Sequence, residues 1–194
     1  MSVGDLSLAA RAGQFKNLME SCRVTRNGDE LNLESGMTVF GEMLASMRKA
    51  GRNLYLVGNG GSAGVASHAT TDFFNVAKLK AITLHESSLL TCMANDFGYE
   101  NAFARMLSQM VQPDDVVIAI SSSGKSMNIR NAVEAAMQRG CNVITFTGFA
   151  HDNPLRTMGN INFWLDSSDY GFVEIGHQFI LHNISDRFGK GLIG

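Results

Sequence analysis

The stretch Leu54-Tyr-Leu-Val-Gly-Asn-Gly-Gly-Ser62 begins as an apolar, β-rich run and ends in a glycine-rich turn, after which the sequence becomes compatible with a helix. Small residues allow the backbone to approach a ligand closely. A helix that begins at such a turn directs its unpaired N–H groups and the positive end of its dipole toward an anion. The stretch is therefore typical of a strand, loop and helix that bind a phosphate or a sugar phosphate.

A second stretch further along the chain has the same order of residues. Asp115-Val-Val-Ile-Ala-Ile120 is typical of a buried strand, and Ser121-Ser-Ser-Gly-Lys-Ser126 precedes another helical segment. Neither loop has the spacing of a dinucleotide or Walker fingerprint, so ATP and NAD are poor candidates. Either loop alone could be an ordinary Ser/Gly turn, but the pair on neighbouring strands predicts one polar pocket. Four hydroxyls in the second loop can donate to a phosphomonoester; they belong to Ser121, Ser122, Ser123 and Ser126.

The apolar pattern predicts five strands that alternate with helices. The predicted strands are 53–58, 81–84, 115–120, 141–147 and 160–165. The predicted helices are 6–22, 37–50, 62–77, 88–94, 100–110, 126–139 and 172–188. This order predicts an α/β fold, a single doubly wound domain whose five-stranded parallel sheet has helices on both faces. Binding is then expected beyond the carboxyl ends of the strands, where both loops lie.

The length of 194 residues and the hydrophobic content of 45% suit one domain over residues 1–194. Within it, 1–36 is predicted to form an N-terminal helix and loop, and 37–188 the core. The polar segment 24–35, with its Asn-Gly pair, is interpreted as a connecting loop. Apolar surface on the two N-terminal helices predicts an oligomer.

Composition excludes several classes of partner. The formal charge of −2 and the absence of a Lys/Arg cluster give no reason to expect nucleic-acid binding. No run approaches the roughly 20 apolar residues of a membrane span. Cys22, Cys92 and Cys141 are odd in number, widely spaced and set in apolar surroundings, so they are predicted to be reduced, buried thiols. We expect a soluble, cytoplasmic protein that binds neither nucleic acid nor a membrane.

Two helical segments have polar residues at a spacing of four. His68 and Asp72 share one face of the helix after the first loop, and Glu174, Gln178 and His182 share a face of the final helix. If the two faces meet, two imidazoles and two carboxylates form a cluster that can bind a divalent metal such as zinc or transfer protons.

A structural role for these residues is the alternative, because a histidine on a helix is more often hydrogen-bonded than functional. His177 and Gln178 are possible substitutes for members of the proposed face. Asn95-Asp-Phe-Gly-Tyr-Glu100 is either a turn or a loop that presents Asp96 to a sugar hydroxyl.

Taken together, these motifs resemble the sugar isomerase (SIS) domain superfamily and, within it, the phosphoheptose isomerases. The resemblance runs from about residue 37 to 188. Its most specific parts are Gly58-Asn-Gly-Gly-Ser62, Asn95-Asp-Phe-Gly-Tyr-Glu100, Val117-Ile-Ala-Ile-Ser-Ser-Ser-Gly-Lys-Ser126 with Asn128-Ile129, and Val143-Ile-Thr-Phe-Thr-Gly148.

The resemblance implies a flavodoxin-like fold and an aldose–ketose isomerase that interconverts sedoheptulose 7-phosphate and D-glycero-D-manno-heptose 7-phosphate to supply heptose for surface glycans. It implies a homotetramer with active sites completed across chains. The implied substrate-binding residues are Asn59, Gly60, Ser62, Asp96, Ser121, Ser122, Ser123, Ser126 and Glu174. One zinc ion per site is implied at His68, Asp72, Glu174 and His182, with Asp72 and His182 as the proton carriers.

Three departures from the family pattern fall near the implied catalytic face. Asp72 stands where the family has glutamate, Val76 where it has arginine, and Glu174 where it has glutamine. These departures leave two alternatives open. The chain could be an isomerase of another phosphosugar, or a non-catalytic protein that binds a phosphosugar or a partner, as some relatives do in initiating chromosome replication.

Overall fold

One β-sheet with helices on both faces forms the centre of the structure, a computed structural model that describes residues 6–193. Its strands are β1 (Arg23–Arg26), β2 (Asp29–Leu31), β3 (Asn53–Gly58), β4 (Lys80–Thr83), β5 (Val116–Ser121), β6 (Asn142–Thr147) and β7 (Ile161–Trp164). Its helices are α1 (Leu8–Glu20), α2 (Leu33–Lys49), α3 (Gly61–Asn75), α4 (Ser87–Phe97), α5 (Ala102–Met110), α6 (Met127–Gln138) and α7 (Tyr170–Gly189), with short 3-10 turns at Tyr99–Asn101 and Pro154–Thr157. Residues 1–5 of the predicted N-terminal segment, and residue 194, lie outside the described residues.

The strands are hydrogen-bonded in the order β2-β1-β7-β6-β5-β3-β4. The five strands from β3 to β7 pair with one another in parallel, which confirms the predicted parallel sheet for these five strands. β3 and β5 are adjacent and run in the same direction, so their carboxyl ends meet at the same edge. The two glycine- and serine-rich loops that follow them are therefore neighbours.

The interpretation of 24–35 as a connecting loop is wrong, because this segment contains a β-hairpin and the first turn of α2. β1 pairs antiparallel with both β2 and β7, so the sheet has seven strands. Asn27 (φ 50°) and Gly28 (φ 96°) form the two-residue turn that suits the twist of a hairpin. Val24 is fully buried against Gly36 of α2, where any Cβ would lie 2.6 Å from Val24 Cγ1.

Apolar residues of alternate strand positions pack on opposite faces of the sheet. In β5, Ile118 and Ile120 pack with residues of α2, α3 and α7, whereas Val117 and Ala119 pack with residues of α5 and α6. A strand that is buried on both faces has no polar alternation, which explains the continuous apolar run in the sequence. Both helical layers thus position the loops at the carboxyl edge.

The three cysteines are free, as predicted, but only two of them are buried. Burial raises the pKa of the Cys22 thiol to about 12 and that of Cys141 to about 11. Cys92 is exposed, contrary to the prediction, because it lies on α4, none of whose residues is buried. Within residues 6–193, no helix is long and apolar enough to cross a membrane.

Candidate active site

The loop after β3 needs its glycines to turn directly into α3. A Cβ on Gly58 would lie 2.5 Å from the carbonyl oxygen of Ser62, and Gly60 has a φ of 54° that side chains rarely adopt. α3 begins at Gly61, and the Ser62 side chain is buried in its first turn. The first N–H groups of α3 therefore point toward the carboxyl edge of the sheet.

The loop after β5 is held by contacts from both sides. Ser122 accepts a backbone hydrogen bond from Gly148 (2.9 Å), and the N–H of Lys125 donates to Ser123 Oγ (3.2 Å). Gly124 has a φ of 63° and packs so closely on Asn153 that a Cβ would collide with that side chain. The loop leads into α6 through Ser126, whose side chain makes no capping bond to the helix.

Both loops line one cavity of about 240 Å³. Ser122 lines this cavity, and its Oγ is buried without a hydrogen-bond partner. Four serines and the N-terminus of α6 lie together at this cavity, and serine hydroxyls with a helix N-terminus can bind a phosphate without a cationic side chain. The lining residues are Asn59, Gly60, Gly61, Ser62, Ile120, Ser121, Ser122, Ser123, Ser126, Tyr170 and Glu174.

The carboxylate of Glu174 packs against Gly61, in the first turn of α3. Any Cβ at Gly61 would collide with this carboxylate. A negative charge is favourable at the N-terminus of a helix, so Glu174 complements the dipole of α3. Of the two helix N-termini at the cavity, that of α3 therefore already has a negative charge beside it.

A second polar group lies where α3 and α7 pack side by side. Asp72 Oδ2 is 2.9 Å from His182 Nδ1 and 3.6 Å from His68 Nε2. The rings of His68 and His182 meet edge to face with centroids 4.9 Å apart. One ligand atom from each of the three residues lies within 4.8 Å of the others. The predicted meeting of the two helix faces is thus found for these three residues.

These three residues could hold a divalent metal ion. Asp72 Oδ2 is buried and makes no hydrogen bond, although two imidazole nitrogens lie nearby. Two imidazole nitrogens and one carboxylate oxygen match the three protein ligands of catalytic zinc sites, which keep a further position open. The orphaned oxygen fits a shared cation better than a closed hydrogen-bond network.

Some sequence-predicted residues lie elsewhere. Glu174 lines the loop cavity and is not part of the His68, Asp72 and His182 group. Asp96 lies on the exposed helix α4, where it accepts from Asn95 Nδ2 (2.9 Å) and takes no part in the lining of the cavity.

The departure at position 76 and the two possible substitutes on α7 also have defined positions. Val76 ends α3 against Gly189, the last residue of α7. His177 faces away from the polar group, because its Nε2 donates to the Thr147 carbonyl (3.1 Å) in the core. Gln178 Nε2 is buried without a hydrogen-bond partner.

Several residues of the site were not predicted. Gly61 and Tyr170 line the cavity, and Tyr99 and Asn128 contact Asn59. His85 Nε2 donates to the Gly58 carbonyl (3.1 Å) at the end of β3, and burial lowers the His85 pKa, so the ring is a neutral donor. Gly61, Asn128 and Tyr99 lie within motifs that the sequence analysis quotes, although no role was assigned to them there, whereas no such motif contains Tyr170 or His85.

Comparison with known proteins agrees with this fold. The family model described as the SIS domain matches residues 18–148, and the chain belongs to the SIS domain family. Within that family it is similar to the phosphoheptose isomerase of Trichlorobacter lovleyi, with 33% identity over 171 residues that cover 85% of this chain and 87% of the relative. The phosphoheptose isomerase of Geobacter sulfurreducens is 31% identical over 196 residues and 98% of each chain. A solved phosphoheptose isomerase from Francisella tularensis has a TM-score of 0.83 and 25% identity, and covers 98% of this chain and 99% of that chain.

Proposed function

We propose that this chain, as a single SIS domain, is an aldose–ketose isomerase that converts sedoheptulose 7-phosphate to D-glycero-D-manno-heptose 7-phosphate through an enediol. The observation that carries the proposal is a distance. It separates the cavity lined by the loop after β5 (residues 121–126, the serine loop) from the group formed by His68, Asp72 and His182. Ser62 of the cavity and His68 are six residues apart on α3, and Glu174 and His182 are eight apart on α7. At the helical rise, these separations correspond to about 9 to 12 Å. An extended seven-carbon chain with its phosphate in the serine loop would reach the group with its carbonyl end.

Asp72 and His182 are the proposed proton carriers. One of them removes the proton from the carbon next to the carbonyl, which gives a cis-enediol, and the other group or the same one returns the proton to the neighbouring carbon. A carboxylate and an imidazole 2.9 Å apart on two packed helices can share this task. Asp72 is one methylene shorter than the glutamate of the family pattern, and its contact with His182 supports its place in the mechanism.

Zinc is the proposed cofactor, with His68, Asp72 and His182 as ligands. When bound, it would polarise the carbonyl and enediol oxygens of the sugar as a Lewis acid. Glu174, which lies at the cavity and not in this group, remains a proposed substrate contact. Its two carboxylate oxygens can accept from sugar hydroxyls, while its packing on Gly61 keeps it at the cavity.

A homotetramer with active sites completed across chains is also proposed. α4 has no buried residue although it contains Leu89 and Phe97, which are exposed to about two fifths. In α2, by contrast, four large apolar residues are buried within the chain, namely Met37, Phe40, Leu44 and Met47. Burial of α4 against another chain would bring its Asp96 to a site other than the cavity of its own chain.

The side chains of His68 (56% exposed) and His182 (44% exposed) are open to solvent in the single chain. A neighbouring chain over this face would exclude water from the reaction. Three free cysteines support a reducing, cytoplasmic location, and supply of heptose for surface glycans is the proposed role.

An isomerase of another phosphosugar is the second candidate. It is favoured by Val76, which is apolar and packs on the end of α7, where the family pattern has an arginine. A purely binding function is less consistent with the orphaned Asp72 oxygen between two imidazoles.

The test is isomerisation of sedoheptulose 7-phosphate by the purified protein, before and after chelation, with zinc content measured on the same sample. Activity that falls when zinc is removed and returns when zinc is added back would support the proposed reaction. Turnover of five- or six-carbon phosphosugars in its place would favour the second candidate. No turnover of any phosphosugar by zinc-loaded protein would exclude both isomerase functions.

A further inference from the structure

We propose that Tyr99 and Asn128 are positioning residues that hold the side chain of Asn59 as a hydrogen-bond donor toward an oxygen of the bound sugar. The inference rests on the proposed function, because it gives Asn59 a task within that site. Its basis is a hydrogen-bond network that connects three separate segments of the chain.

The amides of Asn59 and Asn128 form a reciprocal pair. Asn59 Nδ2 donates to Asn128 Oδ1 (2.9 Å), and Asn128 Nδ2 donates to Asn59 Oδ1 (2.8 Å). Asn128 is the second residue of α6 and is only 3% exposed, so its amide has a fixed place. The pair therefore ties the loop after β3 to the helix that follows the serine loop.

Tyr99 adds a third hydrogen bond to the same amide. Its hydroxyl donates to Asn59 Oδ1 (2.8 Å) from the 3-10 turn after α4. That turn is itself tied to α6, because Asn131 Nδ2 donates to the Glu100 carbonyl (2.9 Å). Gly98, with a φ of 81°, allows the sharp entry into the turn. Tyr99 is thus fixed relative to Asn128 by a contact independent of Asn59.

The hydrogen-bonding capacity of Asn59 is nearly used up by these contacts. A side-chain amide has two acceptor lone pairs and two N–H donors. Tyr99 and Asn128 occupy both lone pairs and one donor, so one N–H remains for the cavity that Asn59 lines.

A lone donor suits an oxygen that accepts. Because Asn59 lines the cavity that is proposed to hold the phosphate, the oxygen within its reach belongs to the part of the sugar chain next to the phosphate. A fixed donor there holds the chain in one position, which sets where its carbonyl end lies relative to His68, Asp72 and His182. An amide free to rotate could present its own oxygen in place of the N–H and would lose this contact.

The test is a double-mutant cycle of Tyr99→Phe and Asn59→Ala, read as kcat and KM for sedoheptulose 7-phosphate. Tyr99→Phe is expected to lower kcat about tenfold, because the sugar chain is less well placed, and to weaken binding of the sugar as well, the effect of one lost hydrogen bond. In the Asn59→Ala background, Tyr99→Phe is expected to change kcat by less than about twofold, because its partner is gone. Tyr55→Phe is the matched control, since its hydroxyl donates to the Met110 carbonyl away from the cavity; its kcat should stay at the wild-type value.

An equal loss from Tyr99→Phe in both backgrounds would overturn the proposal, because Tyr99 would then act without Asn59. Unchanged kcat in the single Tyr99→Phe variant would overturn it as well. If Asn59→Ala lowers turnover below detection, the same cycle is read by calorimetry as affinity for sedoheptulose 7-phosphate, with the same criterion of non-additivity. Wild-type protein that binds this sugar but does not isomerise it would refute the proposed function. The double-mutant cycle read by calorimetry would still test the hydrogen-bond network in that case.

Discussion

Acidification is expected to destabilise the fold through His177, a residue of α7 that is fully buried. Burial lowers the pKa of His177 to about 4, and the hydrogen bond to the Thr147 carbonyl opposes this only in part. Nε2 carries the proton that this bond needs, and Nδ1 is buried without a partner. A second proton on the ring would therefore have no acceptor.

The sign and size of the effect follow from proton linkage. The unfolded chain takes up this proton below its ordinary pKa of about 6.5, whereas the folded chain does so only near 4. Stability is therefore fully present above about pH 7 and is lost as the pH falls from about 6.5 to 4. The loss is about 2 kcal/mol at pH 5 and about 3 kcal/mol at pH 4.

Urea unfolding of the wild type and of His177→Gln, at one protein concentration between pH 7 and pH 4.5, measures this contribution. Other titrating groups are common to both proteins, so the difference between their free energies of unfolding isolates His177. We expect the stability of the wild type relative to the variant to fall by about 2 kcal/mol between pH 7 and pH 5. Parallel curves for the two proteins would refute the reasoning, since they would mean that His177 titrates alike in both states.

Three further outcomes are expected at the site itself. Ser123→Ala combined with Ser126→Ala should weaken phosphosugar binding about a hundredfold by calorimetry without unfolding, because two donors to a charged group are lost; unchanged affinity would remove the phosphate role of this loop. His182→Ala should lower isomerisation by about 10²-fold or more while the oligomeric state in ultracentrifugation is unchanged; wild-type activity in this variant would show that another group carries the proton. Gly61→Ala should lower kcat/KM about tenfold with a normal melting temperature, because the methyl group of the new alanine displaces the Glu174 carboxylate that packs on Gly61. Wild-type kinetics in this variant would mean that the Glu174 carboxylate has no role in the reaction.

The parallel part of the sheet could be predicted because its strands are buried on both faces. Such strands have continuous apolar runs, and β3 has the predicted bounds 53–58. β1 and β2 could not be found in this way. They are short, their exposed positions are charged or polar, and only Val24 is buried in β1, so no apolar period identifies them.

The candidate site was predictable where its residues share one helix or one loop. The spacing of four placed His68 with Asp72, and the serine run marked the second loop. Contacts between distant segments were not predictable from spacing. Glu174 and His182 lie on one face of α7, but the packing of α3 brings the first to Gly61 and the second to Asp72. Tyr99 meets Asn59 only because α6 holds both of their segments.

The β1–β2 hairpin determines which strand, and therefore which unpaired backbone groups, lie at one edge of the sheet. Without it, β7 would expose the unpaired backbone groups of Ile161–Trp164, a run whose residues are all buried, and such a margin can recruit strands from other chains. With the hairpin present, the edge strand is β2, which has only three residues, two of them acidic. At the opposite edge of the sheet, β4 begins with Lys80. Both edges of the sheet therefore discourage chains at high concentration from pairing sheet to sheet into aggregates.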